Sequence, residues 1–251
     1  MKRPLKIGLI VGGAIVLLGV TIAANISRLH STVRDVVVDI KHSNTPQLVS
    51  EQTVKDSILA ALPHLAATRV ADVERERVAM AALNVPFIES ATASVSPSGK
   101  IIVKAIQRRP IARLFYGNHE YYFDNNGFVF PTSTLADCNV LVAGGDFDES
   151  LRLDSLNCQM LELVKVADFL DNNSKYQMLV DQIYSEADGS VLLAPKLGDI
   201  IVELGSADNL ENKFSNLLAF YRNGLPRAGW NKYSRISLKF DGQVVCTRRG
   251  K

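Results

Sequence analysis

Residues 87–107 read FIESATASVSPSGKIIVKAIQ and hold two β-rich runs, at residues 87–95 and 100–107. The tetrapeptide between the runs, Ser96-Pro97-Ser98-Gly99, has the composition of a turn. Two β-rich runs on either side of a turn predict a pair of strands. The other predicted elements lie on both sides of this pair.

The residues before this pair predict one strand and two helices. Residues 34–41, RDVVVDIK, form a β-branched run suited to a strand. Ser50 can cap a helix that ends at Pro63, and Asp72 is predicted to cap a second helix that ends at Pro86. The apolar positions at helical spacing are Val54, Ile58, Leu59 and Leu62 in the first helix and Val73, Val78, Ala81, Ala82 and Val85 in the second. Residues 34–107 therefore predict the order β-α-α-β-β.

Beyond Pro110 the sequence predicts short strands broken by turns. Asn125-Asn126-Gly127 lies between two aromatic runs and predicts a hairpin. The remaining predicted elements are helices at residues 155–170 and 210–221 and strands at 178–184, 191–194, 199–203, 234–240 and 243–248. The last two strands flank the turn Asp241-Gly242 and predict a terminal hairpin. The predicted fold class is α+β, with a mixed β domain after the β-α-α-β-β unit.

Residues 7–27, IGLIVGGAIVLLGVTIAANIS, carry no charge. As a helix this stretch is roughly 31 Å long, which is close to the hydrocarbon thickness of a bilayer. Lys2, Arg3 and Lys6 precede it, so residues 1–6 are predicted to stay in the cytoplasm and the rest of the chain to lie outside. A cleaved signal peptide is the alternative, although its apolar run is usually only about 7–15 residues long.

The composition is that of a folded protein, with 47% hydrophobic and 22% charged residues. A mean hydropathy of +0.08 fits one membrane segment followed by soluble domains. Charge is unevenly distributed, since residues 146–211 hold 14 acidic and 4 basic residues and residues 213–251 hold 9 basic and 1 acidic. Two interpretations stay open: the opposite charges attract each other within the fold, or the basic segment faces an acidic partner.

The sequence offers no recognisable catalytic or metal-binding pattern. We find no GxSxG, HExxH or SxxK motif, and the cysteines, Cys138, Cys158 and Cys246, are too far apart for a zinc knuckle. We therefore expect no catalytic, cofactor or metal site, and a membrane-anchored envelope enzyme is the rival class. Cys138 and Cys158 could form a disulfide in an oxidising compartment or remain buried thiols.

Four stretches, in this order, resemble motifs of the FtsQ/DivIB cell-division family. They are PFIESA at residues 86–91, like P-W-V-x-x-A; QRRPIA at 107–112, like E-R-x-P-x-A; YFDNNGFVF at 122–130, like L-V-D-x-x-G-x-V-F; and LVAG at 141–144, like L-P-V-L-x-G. The departures are Phe87 in place of Trp and Gln107 in place of Glu. Together with one span and a β-α-α-β-β unit, the resemblance covers essentially the whole chain.

The resemblance implies a POTRA-like domain at residues 34–107 and a β domain at 108–251. It also implies a non-enzymatic scaffold of the divisome, in the inner membrane at the septum, that binds FtsB-like and FtsL-like proteins. No cofactor, nucleic acid or small-molecule substrate is implied. The last strand of the β domain would receive a strand of FtsB, which makes the implied partner-binding residues Lys239, Phe240, Gln243, Val244, Val245, Cys246, Thr247 and Arg248. The alternative is a POTRA-bearing factor for outer-membrane protein assembly.

The residues of this last strand are compatible with such a role. Residues 243–247 contain no proline, glycine or charge, which are the features that usually protect an exposed sheet edge from pairing with other chains. If the strand lies at an edge, it is an open template. The other interpretation is an ordinary core hairpin in which Arg248 and Arg249 guard the end.

Overall fold

The structure, a computed structural model, describes residues 32–96, 98–147 and 157–250. It combines helices and sheets in an α+β arrangement, which confirms the predicted fold class. The chain divides into two compact units, with the boundary between Arg108 and Arg109. The predicted membrane span, residues 7–27, lies outside the described residues. Within the described ranges, none of the helices combines the length and the apolar character that crossing a bilayer requires.

The first unit is a three-stranded sheet with two helices. Its elements are β1 (Asp35–Lys41), α1 (Glu51–Ala61), 3-10 turns at Leu65–Ala67 and Val70–Asp72, α2 (Arg75–Leu83), β2 (Ile88–Val95) and β3 (Lys100–Gln107). The strand order is β1-β3-β2, with β1 parallel and β2 antiparallel to β3. Alternate residues of β1 and β3 are buried, so one face of the sheet forms the core together with the helices.

The two helix starts that the sequence predicts have different outcomes. Ser50 caps α1, because its side chain accepts the N–H of Thr53 at 3.0 Å, and this prediction is confirmed. The prediction for Asp72 is wrong. Asp72 ends a 3-10 turn, and α2 begins only at Arg75 after Glu74, which forms no side-chain cap.

The second unit is built on a nine-stranded sheet. Its strands are β4 (Ala112–Tyr116), β5 (His119–Phe123), β6 (Val129–Pro131), β7 (Leu141–Gly145), β8 (Val180–Ser185), β9 (Val191–Pro195), β10 (Ile201–Gly205), β11 (Tyr233–Ser237) and β12 (Val245–Arg248). The order across the sheet is β12-β11-β10-β9-β8-β7-β4-β5-β6. Its helical segments are α3 (Cys158–Asp171), α4 (Ser174–Gln177), α5 (Leu210–Ala219), a π-helical turn (Phe220–Gly224) and α6 (Leu225–Ala228).

One face of this sheet carries the core of the second unit. Buried residues of α3 and α5 pack with buried residues of the strands in a single cluster. The rings of Phe169, Tyr176 and Phe214 lie 5.4 to 5.7 Å apart within the helical layer. This layer holds β8 to β11 in place, and β11 in turn positions β12.

Candidate partner-binding edge

β12 lies at the edge of the nine-stranded sheet. Among the described strands it pairs only with β11, in antiparallel register, with Ile236 opposite Cys246 and Ser237 opposite Val245. The predicted strand at residues 243–248 is shorter in the structure, because β12 begins only at Val245. Four residues therefore form the edge ladder.

The direction of the backbone groups on β11 follows from one hydrogen bond. The N–H of Leu238, the residue after β11, donates to the carbonyl oxygen of Glu203 on β10 at 2.8 Å. Backbone groups of successive residues in a strand point to opposite sides. Ser237 therefore directs its N–H and C=O toward β12, where it lies opposite Val245.

The same alternation continues along β12. Val245 directs its backbone groups toward β11, and so does Arg249, whose N–H donates to the carbonyl oxygen of Lys232 at 2.9 Å. Cys246 and Arg248 lie between these two residues and alternate with them. Their N–H and C=O groups therefore point away from the sheet. The outer side of β12 thus presents two donors and two acceptors to a neighbouring chain.

The side chains of β12, and of Val244 just before it, lie on the two opposite faces of the sheet. Val244 and Cys246 are partly buried and pack against the core on the helix side. Val245 and Thr247 are exposed on the opposite side, and Val245 keeps 44% of its surface accessible. An added strand would therefore have an apolar border on one side and an accessible Val245 on the other.

Four of the predicted binding residues do not lie on strands, namely Lys239, Phe240, Gln243 and Val244. Lys239 and Phe240 were predicted to lie on the preceding strand, and this placement is wrong. β11 ends at Ser237, so both residues lie in the connection to β12. Ser237, opposite Val245, is the last residue of β11 that pairs with β12. Gln243 is also in this connection, and its N–H donates to the carbonyl oxygen of Phe240 at 3.2 Å. Phe240 remains 58% exposed.

Ion pairs hold the strands next to the edge. Arg235 on β11 donates a short hydrogen bond to Glu203 on β10, and this guanidinium lowers the pKa of Glu203 below its usual value. Beyond β12, Arg249 binds the carboxylate of Asp199 at 2.8 Å. Part of the basic segment therefore pairs with acidic residues within the fold, and the acidic partner stays a prediction. These two bases pair within the fold, while other bases of the segment are exposed, namely Arg222, Arg227, Lys232, Lys239 and Arg248.

The end of the last long helix differs from its predicted form. Residues 210–221 were expected to form one helix, but the α-helix ends at Ala219 and a π-helical turn follows. Gly224 and Pro226, two poor helix formers, are the sequence signals near this change. The turn brings the ring of Phe220 to 6.0 Å from that of Tyr233 on β11.

Tyr221, within this turn, and Trp230, after it, pack against each other. Tyr221 is buried, and its hydroxyl has no hydrogen-bond partner among the described residues. Burial raises the pKa of Tyr221 to about 12. Its ring packs edge-on against that of Trp230 at 5.7 Å, and Trp230 is itself partly exposed.

The three cysteines are free thiols in the structure. Cys138 is buried, Cys158 is exposed and Cys246 is partly buried. Burial raises the pKa of the Cys246 thiol. In the part of the chain that the structure describes, no three residues among the histidines, cysteines and acidic residues cluster as metal ligands would.

A family model described as FtsQ/DivIB, C-terminal related, matches residues 109–247, from the start of the second unit to Thr247 on β12. The chain belongs to the FtsQ/DivIB family. The family suggested by the sequence motifs is thereby confirmed. FtsQ/DivIB proteins are non-enzymatic division scaffolds, and membership indicates a role in cell division among divisome proteins at the septum. A search of curated proteins gives no match to the chain.

Proposed function

We propose that this FtsQ/DivIB protein is a single-pass scaffold of the inner membrane that captures an FtsB-like protein by strand addition at β12. Residues 1–6 would lie in the cytoplasm and residues 7–27 would span the membrane. A POTRA-like domain at 34–107 and a β domain at 108–251 would follow outside. An FtsL-like protein would join through its complex with the FtsB-like partner. The observation that carries this proposal is the outer side of β12, which no other described strand pairs with.

Backbone hydrogen bonds alone do not account for stable capture. Cys246 and Arg248 offer four outward groups, and each hydrogen bond nets only about 0.5–1.5 kcal/mol. Association costs at least about 4 kcal/mol in lost freedom of motion. Side chains must therefore contribute, as in other complexes formed by strand addition.

The side chains around β12 suggest what the partner strand contains. Val245 on β12 and Phe240 in the connection before it are exposed apolar residues, and they favour apolar residues on the partner. Arg248, at the end of β12, and Lys239, in the connection, are exposed and favour acidic residues. The partner segment is therefore expected to alternate apolar and acidic residues around its paired strand.

Removal of a single outward N–H tests the proposal. Cys246 permits native chemical ligation, in which residues 1–245 as a thioester react with a synthetic peptide CTRRGK for residues 246–251. An N-methyl group on Arg248 removes its outward N–H and blocks close approach of a strand, but it leaves the hydrogen bonds to β11 intact. We expect FtsB-like capture to weaken at least tenfold, against a ligated control without the methyl group. Equal capture by both proteins, at equal thermal stability, would contradict strand addition.

Deletion of residues 243–251 is the coarser test. The deletion removes β12, so FtsB-like capture should be lost while the rest of the second unit stays folded. A fluorescent fusion of the intact chain should gather at midcell during constriction. A uniform peripheral signal, with normal division after depletion, would instead favour the anchored enzyme or the outer-membrane assembly factor.

A further inference from the structure

The chain enters the first unit at a surface formed by two other segments. Thr32, the first described residue, forms an antiparallel bridge with Arg69. The next two residues extend this contact, since the N–H of Val33 donates to the carbonyl oxygen of Thr68 at 3.0 Å and that of Arg34 donates to the carbonyl oxygen of Gly99 at 2.9 Å. We call the surface formed by residues 32–34, 64–72 and 98–99 the tether end of the first unit.

Two exposed arginines belong to the tether end. Arg69 is directly opposite Thr32, and Arg34 follows two residues after Thr32 and donates its N–H to Gly99. Both arginines are therefore exposed on the surface where the chain enters the unit.

The described carboxylates leave these two arginines accessible. Asp35 is adjacent to Arg34, but its carboxylate is bound by Lys55 at 2.7 Å, and this hydrogen bond lowers the pKa of Asp35. Asp72 is the exposed carboxylate of the turn that follows Arg69. Within the described residues, neither arginine forms an ion pair.

The length of the preceding chain places the tether end at the membrane surface. This step rests on the anchor in the proposed function, with a span that ends at Ser27. Five Cα–Cα steps separate Ser27 from Thr32, which limits their distance to about 18 Å. The head-group layer on one side of a bilayer is itself about 5–8 Å thick. The tether end is therefore held close enough to the membrane for its arginine side chains to contact the phosphates when the linker is not fully extended.

We propose that the tether end binds anionic phospholipid head groups through Arg34 and Arg69. A guanidinium group matches a phosphate with two parallel hydrogen bonds. Each arginine near an anionic membrane strengthens attachment by about fivefold. The first unit would then be attached twice, by its covalent tether and by this ionic contact, which restricts its rotation about the tether.

Photo-crosslinking of the full chain in vesicles tests this contact. p-Benzoylphenylalanine replaces Ala67, an exposed residue next to Thr68 at the tether end. The matched control carries the same group in place of Ser43, an exposed residue beyond the opposite end of β1, about 20 Å away. We expect phospholipid adducts at position 67 in vesicles with equal phosphatidylcholine and phosphatidylglycerol, several times more than in phosphatidylcholine alone and more than at position 43.

The double substitution Arg34→Gln and Arg69→Gln should reduce the adduct at position 67 to its yield in phosphatidylcholine. An adduct that is independent of lipid charge or of both arginines, or that is equally strong at position 43, would overturn the proposal. The proposal would also be overturned if chains that float with the vesicles formed no adduct at position 67. A chain that does not float at all would overturn the membrane anchor as well, and FtsB-like capture in the same sample reports on β12 separately.

Discussion

The side-chain oxygen of Gln107 accepts the backbone N–H of Leu48 at 2.7 Å, across 59 residues of sequence. Gln107 is buried, and its amide nitrogen donates to the carbonyl oxygen of Pro46 at 2.9 Å and to the hydroxyl of Thr45 at 3.2 Å. One side chain at the end of β3 therefore fixes the loop that follows β1. This position carries glutamine where the family motif usually has glutamate, and the amide supplies a donor that a carboxylate lacks.

Gln107→Ala should lower the free energy of unfolding of the first unit by about 2–4 kcal/mol, because it removes the buried hydrogen bonds that Gln107 forms with Leu48, Pro46 and Thr45. Gln107→Glu retains an acceptor for Leu48 but loses the donor to Pro46, so we expect a smaller loss. Calorimetry of the full chain in detergent separates the transitions of the two units. Equal losses for both variants would show that the hydrogen bond to Leu48 contributes little.

Asp124 organises the turn between β5 and β6. Its buried carboxylate accepts the N–H of Asn126 and that of Phe128, each at 2.9 Å, and Gly127 adopts a φ of +77°. Asp124→Ala should destabilise the second unit by about 1–3 kcal/mol, whereas Asp124→Asn keeps an acceptor and should cost less. Gly127→Ala should cost about 1–2 kcal/mol, since a side chain is strained at this φ. Thermal unfolding of the three variants checks this order, and an Asp124→Asn variant as unstable as Asp124→Ala would contradict it.

The pair between Glu203 and Arg235 predicts a pH dependence of stability next to the edge. The folded-state pKa of Glu203 is lowered by Arg235, so its stabilising contribution is present above the unfolded-state pKa and is lost as the pH falls through the folded-state value. Because Arg235 is partly exposed, we expect at most about 1 kcal/mol at neutral pH. Between pH 7 and pH 3, the free energy of unfolding should fall less steeply for Glu203→Gln than for the wild type. Parallel pH curves for the two proteins would contradict this contribution.

The thiol of Cys246 reports directly on the candidate edge. Its pKa is raised by burial, so its reaction with N-ethylmaleimide should be slow at neutral pH and should accelerate as the pH rises. Exposed Cys158 should react first and buried Cys138 last. Mass spectrometry of digested samples taken over time gives the three rates. A Cys246 that reacts faster than Cys158 would contradict the packing of β12 against the core.

Tyr221 and Tyr176 are both buried tyrosines that should respond oppositely to loss of the hydroxyl group. The hydroxyl of Tyr176 donates to Glu211 at 2.8 Å, whereas that of Tyr221 has no partner in the described ranges. Tyr221→Phe should therefore raise the free energy of unfolding by about 1 kcal/mol, and Tyr176→Phe should lower it by a similar amount. Chemical denaturation of the two variants measures both changes. A destabilised Tyr221→Phe variant would indicate a hydrogen bond outside the described residues.

Local features were predictable because their causes are local. The cap at Ser50 depends on residues within one helical turn, and the structure contains it. The cap predicted at Asp72 fails because Thr68 and Arg69 contact residues 32 and 33, which are far away in the sequence. A 3-10 turn lies on each side of this contact, and Asp72 belongs to the second of them. A pattern within one segment contains no information about such a contact.

The candidate edge shows the same limit. Residues 233–248 contain enough β-branched and turn residues to predict a hairpin, but the sequence does not say which strand lies beside it. That β11 pairs with β10 in parallel, and that β12 has an open outer side, depends on the order of the whole sheet. The early end of β11 at Ser237 is likewise not visible in the β-rich run of residues 234–240.

The parallel pairing of β10 with β11 also has a consequence for assembly kinetics. β10 and β11 are connected by residues 206–232, which contain both α5 and α6. The two ends of this long connection must come together before β11 can pair with β10. Closing so long a connection is slow compared with forming a local hairpin. The open outer side of β12 should therefore mature late in folding, after the helical layer has docked, so that half-folded chains do not sequester a partner.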